Sequence, residues 1–214
     1  MEEFITILKN ETTEIVEKKS KFISYTYYVE NEEEIAEKIK ELRKKYYDAR
    51  HICFAWRIVK DGQILERAND DGEPSGTAGA PILNILKKNN LCNILLVVIR
   101  YFGGILLGTG GLVRAYSEAT QKVIEKSSII SKVRGIEIII RIDYSDLEIF
   151  KYYCKNNNIN ITDLQYLDDV IVKIEMEKSR KAKMLENIDT KTLKIKEYKV
   201  VEEKYINKTV ETNT

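Results

Sequence analysis

Apolar and polar residues follow one another in an order that predicts strands, a helix and a hairpin in the first part of the chain. The segments EFITIL (3–8) and KKSKFISYTYYVE (18–30) are rich in aromatic and β-branched residues, which is typical of strands. The segment NEEEIAEKIKELRKKYY has Asn31 as a candidate N-cap and apolar residues at helical spacing, so it predicts an amphipathic helix. The segment HICFAWRIVKDGQILERA turns at Asp61 and Gly62 and predicts a β-hairpin.

The composition changes after the hairpin. The segment NDDGEPSGTAGAP (69–81), here called the acidic loop, consists of turn formers, acids and small side chains, so it predicts neither a strand nor a long helix. Pro81 suits the first turn of a short helix, and the unbroken apolar run NILLVVIR (93–100) predicts a strand covered on both faces. After a glycine-rich stretch, GLVRAYSEATQKVIEKS (111–127) has an apolar stripe at helical spacing and predicts a further helix.

The pattern starts again near Ile130–Lys132, where we expect a domain boundary. Beyond it the segments predict strand, helix, strand, strand, helix and strand, which is the order of a ferredoxin-like domain. We therefore expect one domain over residues 1–130, a second over residues 131–208 and a tail over residues 209–214.

Charge and cysteine content narrow the class of protein. The net charge of +1 gives no overall basic signature, so a nucleic-acid contact would need a local basic patch. The three cysteines, Cys53, Cys92 and Cys154, lack metal-ligand spacing and favour a reducing, cytoplasmic compartment. No apolar run has the length of a bilayer span, so no membrane partner is expected.

The glycine-rich stretch, here called the glycine segment (residues 103–111), precedes a predicted helix. Glycine permits positive φ and close approach of the backbone, and free N–H groups at a helix start favour an anion. The spacing matches neither a Walker loop nor a dinucleotide fingerprint, so the residues alone favour a packing role over anion binding. The glycines are Gly103, Gly104, Gly108, Gly110 and Gly111, with Thr109 among them.

The acidic loop admits two interpretations. Asp70, Asp71 and Glu73 offer oxygen ligands of the kind that Mg²⁺ or Ca²⁺ takes, but their spacing is not that of an EF-hand. Ser75 lacks the sequence context of a nucleophile elbow. In the alternative interpretation, these acids cap backbone N–H groups within an acidic turn.

Three further residues carry charge or proton-transfer chemistry. His51 is the single histidine, so any site that needs an imidazole must use it. Arg100 and Arg114 bracket the glycine segment, where they would clamp a phosphate or a carboxylate. The alternative for both arginines is pairing with the acids of the acidic loop or with Glu118.

Four segments together resemble the YigZ/Impact family, and the resemblance covers about residues 15–127. They are KSKFIS, ARHICFAW, NDDGEPSGTAGAPIL and VVIRYFGGILLGTGGLVRAYSEA. The second half of the chain resembles the small second domain of bacterial members. The resemblance implies an α+β protein with two α/β two-layer domains. The N-terminal one is similar to a domain of a small-subunit ribosomal protein and to domain four of elongation factor G, and the C-terminal one is ferredoxin-like, similar to domain five of that factor.

The resemblance also bears on function. Eukaryotic relatives regulate translation by competing for an activator of an initiation-factor kinase, through an extra domain that this chain lacks. Bacterial relatives are described as candidate nucleic-acid or ribosome binders. Some carry a peptidase label, which this sequence does not support because it offers no ligand set suited to a metal-dependent dipeptidase.

Carried over to this chain, the family pattern marks a set of candidate ligand- or anion-binding positions without assigning a catalytic role, a metal or a cofactor to any of them. We expect the acidic loop and the glycine segment to meet in one pocket, with both arginines nearby. The candidates are His51, Asp70, Asp71, Glu73, Ser75, Thr77, Arg100, Gly103, Gly104, Gly108, Thr109, Gly110, Gly111 and Arg114.

The favoured interpretation is a cytoplasmic protein that binds RNA or the ribosome and modulates translation, with no DNA specificity. One alternative is a small-molecule enzyme, a hydrolase or a phosphate-ligand enzyme, that uses the acidic loop and the glycine segment. A second alternative is a regulator that binds a protein partner, for which an exposed apolar patch would be the sign. The sequence leaves the ligand and the oligomeric state undetermined.

Overall fold

The structure, a computed structural model, describes residues 1–190 and 192–208, so the tail expected over residues 209–214 lies outside the described residues. The chain divides into two compact units, of which one covers Glu3–Ile130 and the other begins at Ser131. The first unit contains, in chain order, β1 (Glu3–Ile7), β2 (Glu11–Glu17), β3 (Ser20–Tyr28), α1 (Glu32–Lys45), β4 (His51–Lys60), β5 (Gln63–Asn69), α2 (Gly79–Lys88), β6 (Ile94–Tyr101) and α3 (Gly108–Lys126). The remaining elements are β7 (Ile129–Ile142), α4 (Leu147–Asn156), β8 (Asn160–Tyr166), β9 (Val170–Glu177), α5 (Lys181–Asp189) and β10 (Glu197–Asn207).

The sheet of the first unit has the strand order β2-β3-β6-β4-β5, and neighbouring strands are antiparallel. Helices α2 and α3 pack on one face, against a core that includes Leu96 and Val98 of β6. Helix α1 packs on the other face, against Leu95 and Val97 of the same strand. The unbroken apolar run predicted a strand covered on both faces, and β6 confirms it. Because α1 covers the second face, this unit has one layer more than the resemblance implied.

Local sequence signals account for several elements. The side chain of Asn31 caps α1 by accepting the N–H of Glu34, and Asp61 and Gly62 form the β4–β5 turn with φ values of 50° and 79°. Two details differ from the sequence analysis, which predicted no element over residues 11–17 and began the helix at Gly111. Residues 11–17 form strand β2, although only Ile15 of this edge strand is buried, and α3 begins at Gly108 rather than at Gly111.

The second unit has the β-α-β-β-α-β order and the antiparallel strand order β10-β7-β9-β8, which is the ferredoxin-like arrangement that the sequence predicts. Its core contains Ile136, Ile138 and Ile140 of β7, with Phe150 of α4 and Met184 of α5. Two antiparallel sheets with helices packed on them confirm the α+β fold class. In the described ranges, no helix combines the length and the apolar character that crossing a bilayer requires.

Candidate functional site

The acidic loop and the glycine segment line a single cleft in the first unit, here called the cleft, with a volume of about 430 Å³. The sheet register explains why they meet. His51 at the start of β4 lies opposite Arg100 at the end of β6, the acidic loop follows β5, and the glycine segment follows β6. The residues that line the cleft are Arg50, His51, Gly72, Glu73, Pro74, Arg100, Phe102, Leu106, Leu107, Gly108, Thr109 and Leu112.

A buried ion pair joins the acidic loop to the central strand. Nη1 of Arg100 donates to Oε1 of Glu73 over 2.7 Å, and both side chains are more than nine-tenths buried. The hydroxyl of Tyr116 on α3 donates to the same oxygen over 2.9 Å, and burial raises the pKa of Tyr116, so this hydroxyl stays protonated. The Arg100 guanidinium also lies 5.6 Å from the ring centres of Phe22 and Phe102. Arg100 therefore holds the cleft together, and Glu73 already neutralises its charge.

Asp70 caps helix α2. Its carboxylate accepts the backbone N–H groups of Gly76, Ala78 and Gly79 over 2.8 to 3.0 Å. Partial burial raises the pKa of Asp70, but these three hydrogen bonds outweigh burial and leave the pKa below its usual value. The capping interpretation of this acid is therefore the one that the structure shows.

Asp71 ties the acidic loop to α1 and to β4. Its carboxylate pairs with Nη2 of Arg43 over 2.6 Å and accepts the N–H of Ile52 over 2.7 Å. Its carbonyl oxygen lies 2.9 Å from Nδ1 of His51. Because a carbonyl only accepts hydrogen bonds, Nδ1 is the donor in this contact.

The other two candidates on the acidic loop differ in exposure. Ser75 is exposed and is absent from the lining of the cleft. Thr77 is buried, and its hydroxyl donates to the carbonyl of Pro74 over 2.6 Å, which closes the turn.

The glycines serve different purposes. A Cβ on Gly103 would lie 2.0 Å from the carbonyl carbon of Lys19, so only glycine allows the chain to pass the β2–β3 turn there. Gly104 has a φ of 83° with open space around it. Gly108, Gly110 and Gly111 lie in the first turn of α3, and of the five glycines only Gly108 lines the cleft, beside Thr109.

The N-terminus of α3 reaches the cleft without a side-chain cap. Leu107 occupies the N-cap position, and the first turn carries no acidic residue. Unsatisfied N–H groups and the positive end of the helix dipole favour an anion at such a terminus.

Four exposed cationic residues belong to the cleft or to the segments that contact the glycine segment. Arg50 lines the cleft, Lys18 and Lys19 form the β2–β3 turn against Gly103, and Arg114 lies beside Gly110. All four are exposed, and none forms an ion pair with any residue in the described part of the chain. Arg114 is close to the glycine segment, as expected, but it is not part of the lining of the cleft. Arg50 was not among the candidates from sequence, although the segment ARHICFAW places it next to His51.

Exposed apolar side chains flank the same helix terminus. Phe102, Ile105, Leu106 and Val113 are 44%, 42%, 84% and 38% exposed. Over the residues that the structure describes, no group of three or more His, Cys, Asp or Glu side chains is placed to hold a metal ion.

Comparison with known proteins identifies the family. Residues 18–124 match the Impact N-terminal domain, and residues 140–192 match a domain of unknown function (DUF1949). The IMPACT family member YvyE of Bacillus subtilis is 34% identical over 167 residues, which are 78% of this chain and 76% of that protein. The IMPACT family member YigZ of Escherichia coli is 39% identical over 132 residues, which are 61% and 64% of the two chains. A crystal structure of a hypothetical protein is similar with a TM-score of 0.64 and 28% identity, over 94% of this chain and 98% of that one. The chain belongs to the IMPACT family.

Proposed function

We propose that this protein binds the ribosome or another structured RNA of the translation machinery, with the first turn of α3 and its surrounding cations as the contact. The observation that carries the proposal is the uncapped helix terminus at the cleft, with Arg50 in the cleft lining and Arg114 beside Gly110, two exposed cations that pair with no described residue. Backbone N–H groups at a helix start and Arg or Lys side chains are the groups that proteins use to contact nucleic-acid phosphates.

The charge of the whole chain is compatible with this contact. A net charge of +1 gives no general attraction to RNA, so a specific contact needs cations concentrated in one place. The acids nearest to the cleft do not cancel that concentration, since Asp71 pairs with Arg43 and Glu73 pairs with Arg100. The resemblance of the first unit to a ribosomal-protein domain and to domain four of elongation factor G supports the same direction.

A second candidate function is recognition of a protein surface by the same region. It is favoured by the exposed apolar side chains of Phe102, Ile105, Leu106 and Val113. The enzyme alternative draws no comparable support, because Asp70, Asp71 and Glu73 are each engaged in holding the backbone or another side chain.

Cosedimentation with purified ribosomes and separated subunits tests the proposal. We expect saturable binding by the wild-type protein, reduced about tenfold or more in an Arg50→Ala, Arg114→Ala double variant because two side chains that bind phosphate are removed. Lys122→Ala, which changes an exposed lysine further along α3, is the matched control and should bind like the wild type.

The same assay distinguishes RNA binding from recognition of a protein surface. Binding that Leu106→Ser abolishes while the arginine variant and added salt leave it intact would favour a protein surface. No binding to ribosomes or subunits at low salt would contradict both the ribosome and its RNA as partners.

A further inference from the structure

Helix α1 presents a second side-chain stripe beside the one that packs on the sheet, and of its members Ile39 is partly buried against the core. Its members within α1 recur every three or four residues, so they share one face of the helix, and Tyr47 follows in the turn after α1. They line a shallow groove of about 650 Å³, and Tyr47 at its end is 86% exposed. The stripe consists of Ala36, Ile39, Lys40, Arg43, Lys44 and Tyr47.

This groove continues onto the sheet. Ala36 and Ile39 also line a smaller groove of about 200 Å³, whose other side includes Phe54, Trp56 and Arg67 of the β4–β5 hairpin. A helix is about 10 Å wide, whereas five strands at about 4.8 Å spacing are wider, so one helix leaves the margin of this face uncovered. The two grooves together form an apolar channel along α1, here called the α1 groove.

The charged side chains that line the α1 groove are mostly positive. Lys40, Lys44 and Arg67 line it and form no ion pair with residues of the described ranges, while Arg43 pairs with Asp71. The single carboxylate in the lining is that of Glu32, at the helix start. A partner that complements these residues has an apolar ridge flanked by acids.

We infer that the α1 groove is a docking site for an acidic amphipathic helix of a partner protein. The length fits, because the residues from Ala36 to Lys44 span about 12 Å of α1, or two turns of a helix that packs alongside it, and Tyr47 extends the stripe into the turn after α1. Apolar side chains at helical spacing would lie on Ala36, Ile39 and Tyr47, and flanking carboxylates would face Lys40 and Lys44. An RNA partner fits less well, since the channel is apolar and its end carries Glu32.

Trp56 makes the inference directly measurable, because it is the only tryptophan of the chain and it lines the groove. The probe is a synthetic peptide of about fourteen residues, free of tryptophan, with Leu at helical spacing and Glu on the other faces. Titration into the full-length protein should change Trp56 emission saturably. A scrambled peptide of the same composition, which lacks the apolar ridge, should bind about tenfold more weakly or worse.

Variants on the stripe locate the contact. Tyr47→Ser and the double variant Lys40→Glu, Lys44→Glu change exposed positions, and each should weaken peptide binding about tenfold or more. Lys122→Glu on α3 is the matched charge control and should leave binding unchanged. Circular dichroism establishes that every variant is folded.

Three results would overturn the inference. One is unchanged Trp56 emission at peptide concentrations up to about 1 mM, the weak end of specific association. Another is equally strong binding of the scrambled peptide, which would show that the groove attracts acidic peptides only through their charge. The third is a single-stranded oligouridine that binds in a Tyr47-dependent way and displaces the helical peptide, which would make the groove a nucleic-acid site.

Discussion

The ion pair between Glu73 and Arg100 lies among apolar residues of the first unit and connects a loop to the central strand. Removing two charges from water costs several kcal/mol, and their attraction offsets that cost only while both are present. The hydrogen bond from Tyr116 to Glu73 adds a third element, α3, to the same junction. A substitution here therefore acts through the folding of the cleft before it acts on any ligand.

Breaking this pair from one side should be worse than removing it altogether. Glu73→Leu and Arg100→Met each leave an uncompensated buried charge, so each should lower the free energy of unfolding of the first unit by about 3–5 kcal/mol. The double variant should lose less than the sum of the two. Urea denaturation followed by Trp56 fluorescence measures the first unit selectively, and additive losses would show that the two side chains are not coupled.

Asp70 should contribute to the pH dependence of stability. Its pKa in the folded protein lies below the unfolded value of about 3.9, so its contribution is fully present above about pH 4 and is lost as the pH falls through the lowered value. Asp70→Asn should be less stable than the wild type at pH 7, and this difference should shrink below about pH 4. Urea denaturation from pH 7 to pH 3 measures it, with Asp61→Asn in the exposed hairpin turn as control. A constant difference across the range would contradict the capping role.

At the scale of secondary-structure elements, the β2–β3 turn packs closely against Gly103 of the glycine segment. Gly103→Ala would drive a methyl group into the backbone of Lys19, so it should destabilise the first unit by about 2 kcal/mol or more. Gly110→Ala, in the first turn of α3, meets only the Arg114 side chain at 3.7 Å and should be neutral or stabilising by up to about 1 kcal/mol. Thermal unfolding compares the two variants, and equal effects would refute the close packing at Gly103.

Elements with a complete local signal were predictable from the sequence. The N-cap at Asn31, the turn at Asp61 and Gly62, and the unbroken apolar run of β6 each specify structure within a few residues. Strand β2 was missed because it is an edge strand whose side chains are mostly exposed, so no apolar alternation marks it. The start of α3 was placed too late because glycines disfavour a helix locally, while packing of the helix overrides that preference.

The location of the candidate site was predictable from the sequence, but the interactions of its individual side chains were not. The motifs identified the acidic loop and the glycine segment as candidates. They could not identify the partners of Glu73, because Arg100 and Tyr116 are 27 and 43 positions away in the sequence. No local pattern distinguishes an arginine that will be buried in an ion pair from one that stays free. Arg50 was overlooked for the same reason, because its position beside the cleft follows from how the strands pair.

At the scale of the whole molecule, the chain has a net charge close to zero but places several unpaired cations near one another. The net charge of +1 predicts weak unspecific attraction to RNA, whereas the cations around α3 predict a defined number of phosphate contacts. The ferredoxin-like second unit is held together by an apolar core and by antiparallel strand pairing. The proposed RNA contact involves only residues of the first unit.

The most direct test of RNA binding at α3 is the salt dependence of ribosome binding by the wild type and by the Arg50→Ala, Arg114→Ala variant. If each arginine binds one phosphate, the slope of log K against log salt concentration should become shallower by about 0.7–0.9 for each arginine replaced, or roughly 1.4–1.8 for the pair. A clear salt dependence in the wild type with this reduction in the variant is the predicted result. An identical slope in the two proteins would contradict the claim that the first turn of α3 is where RNA binds.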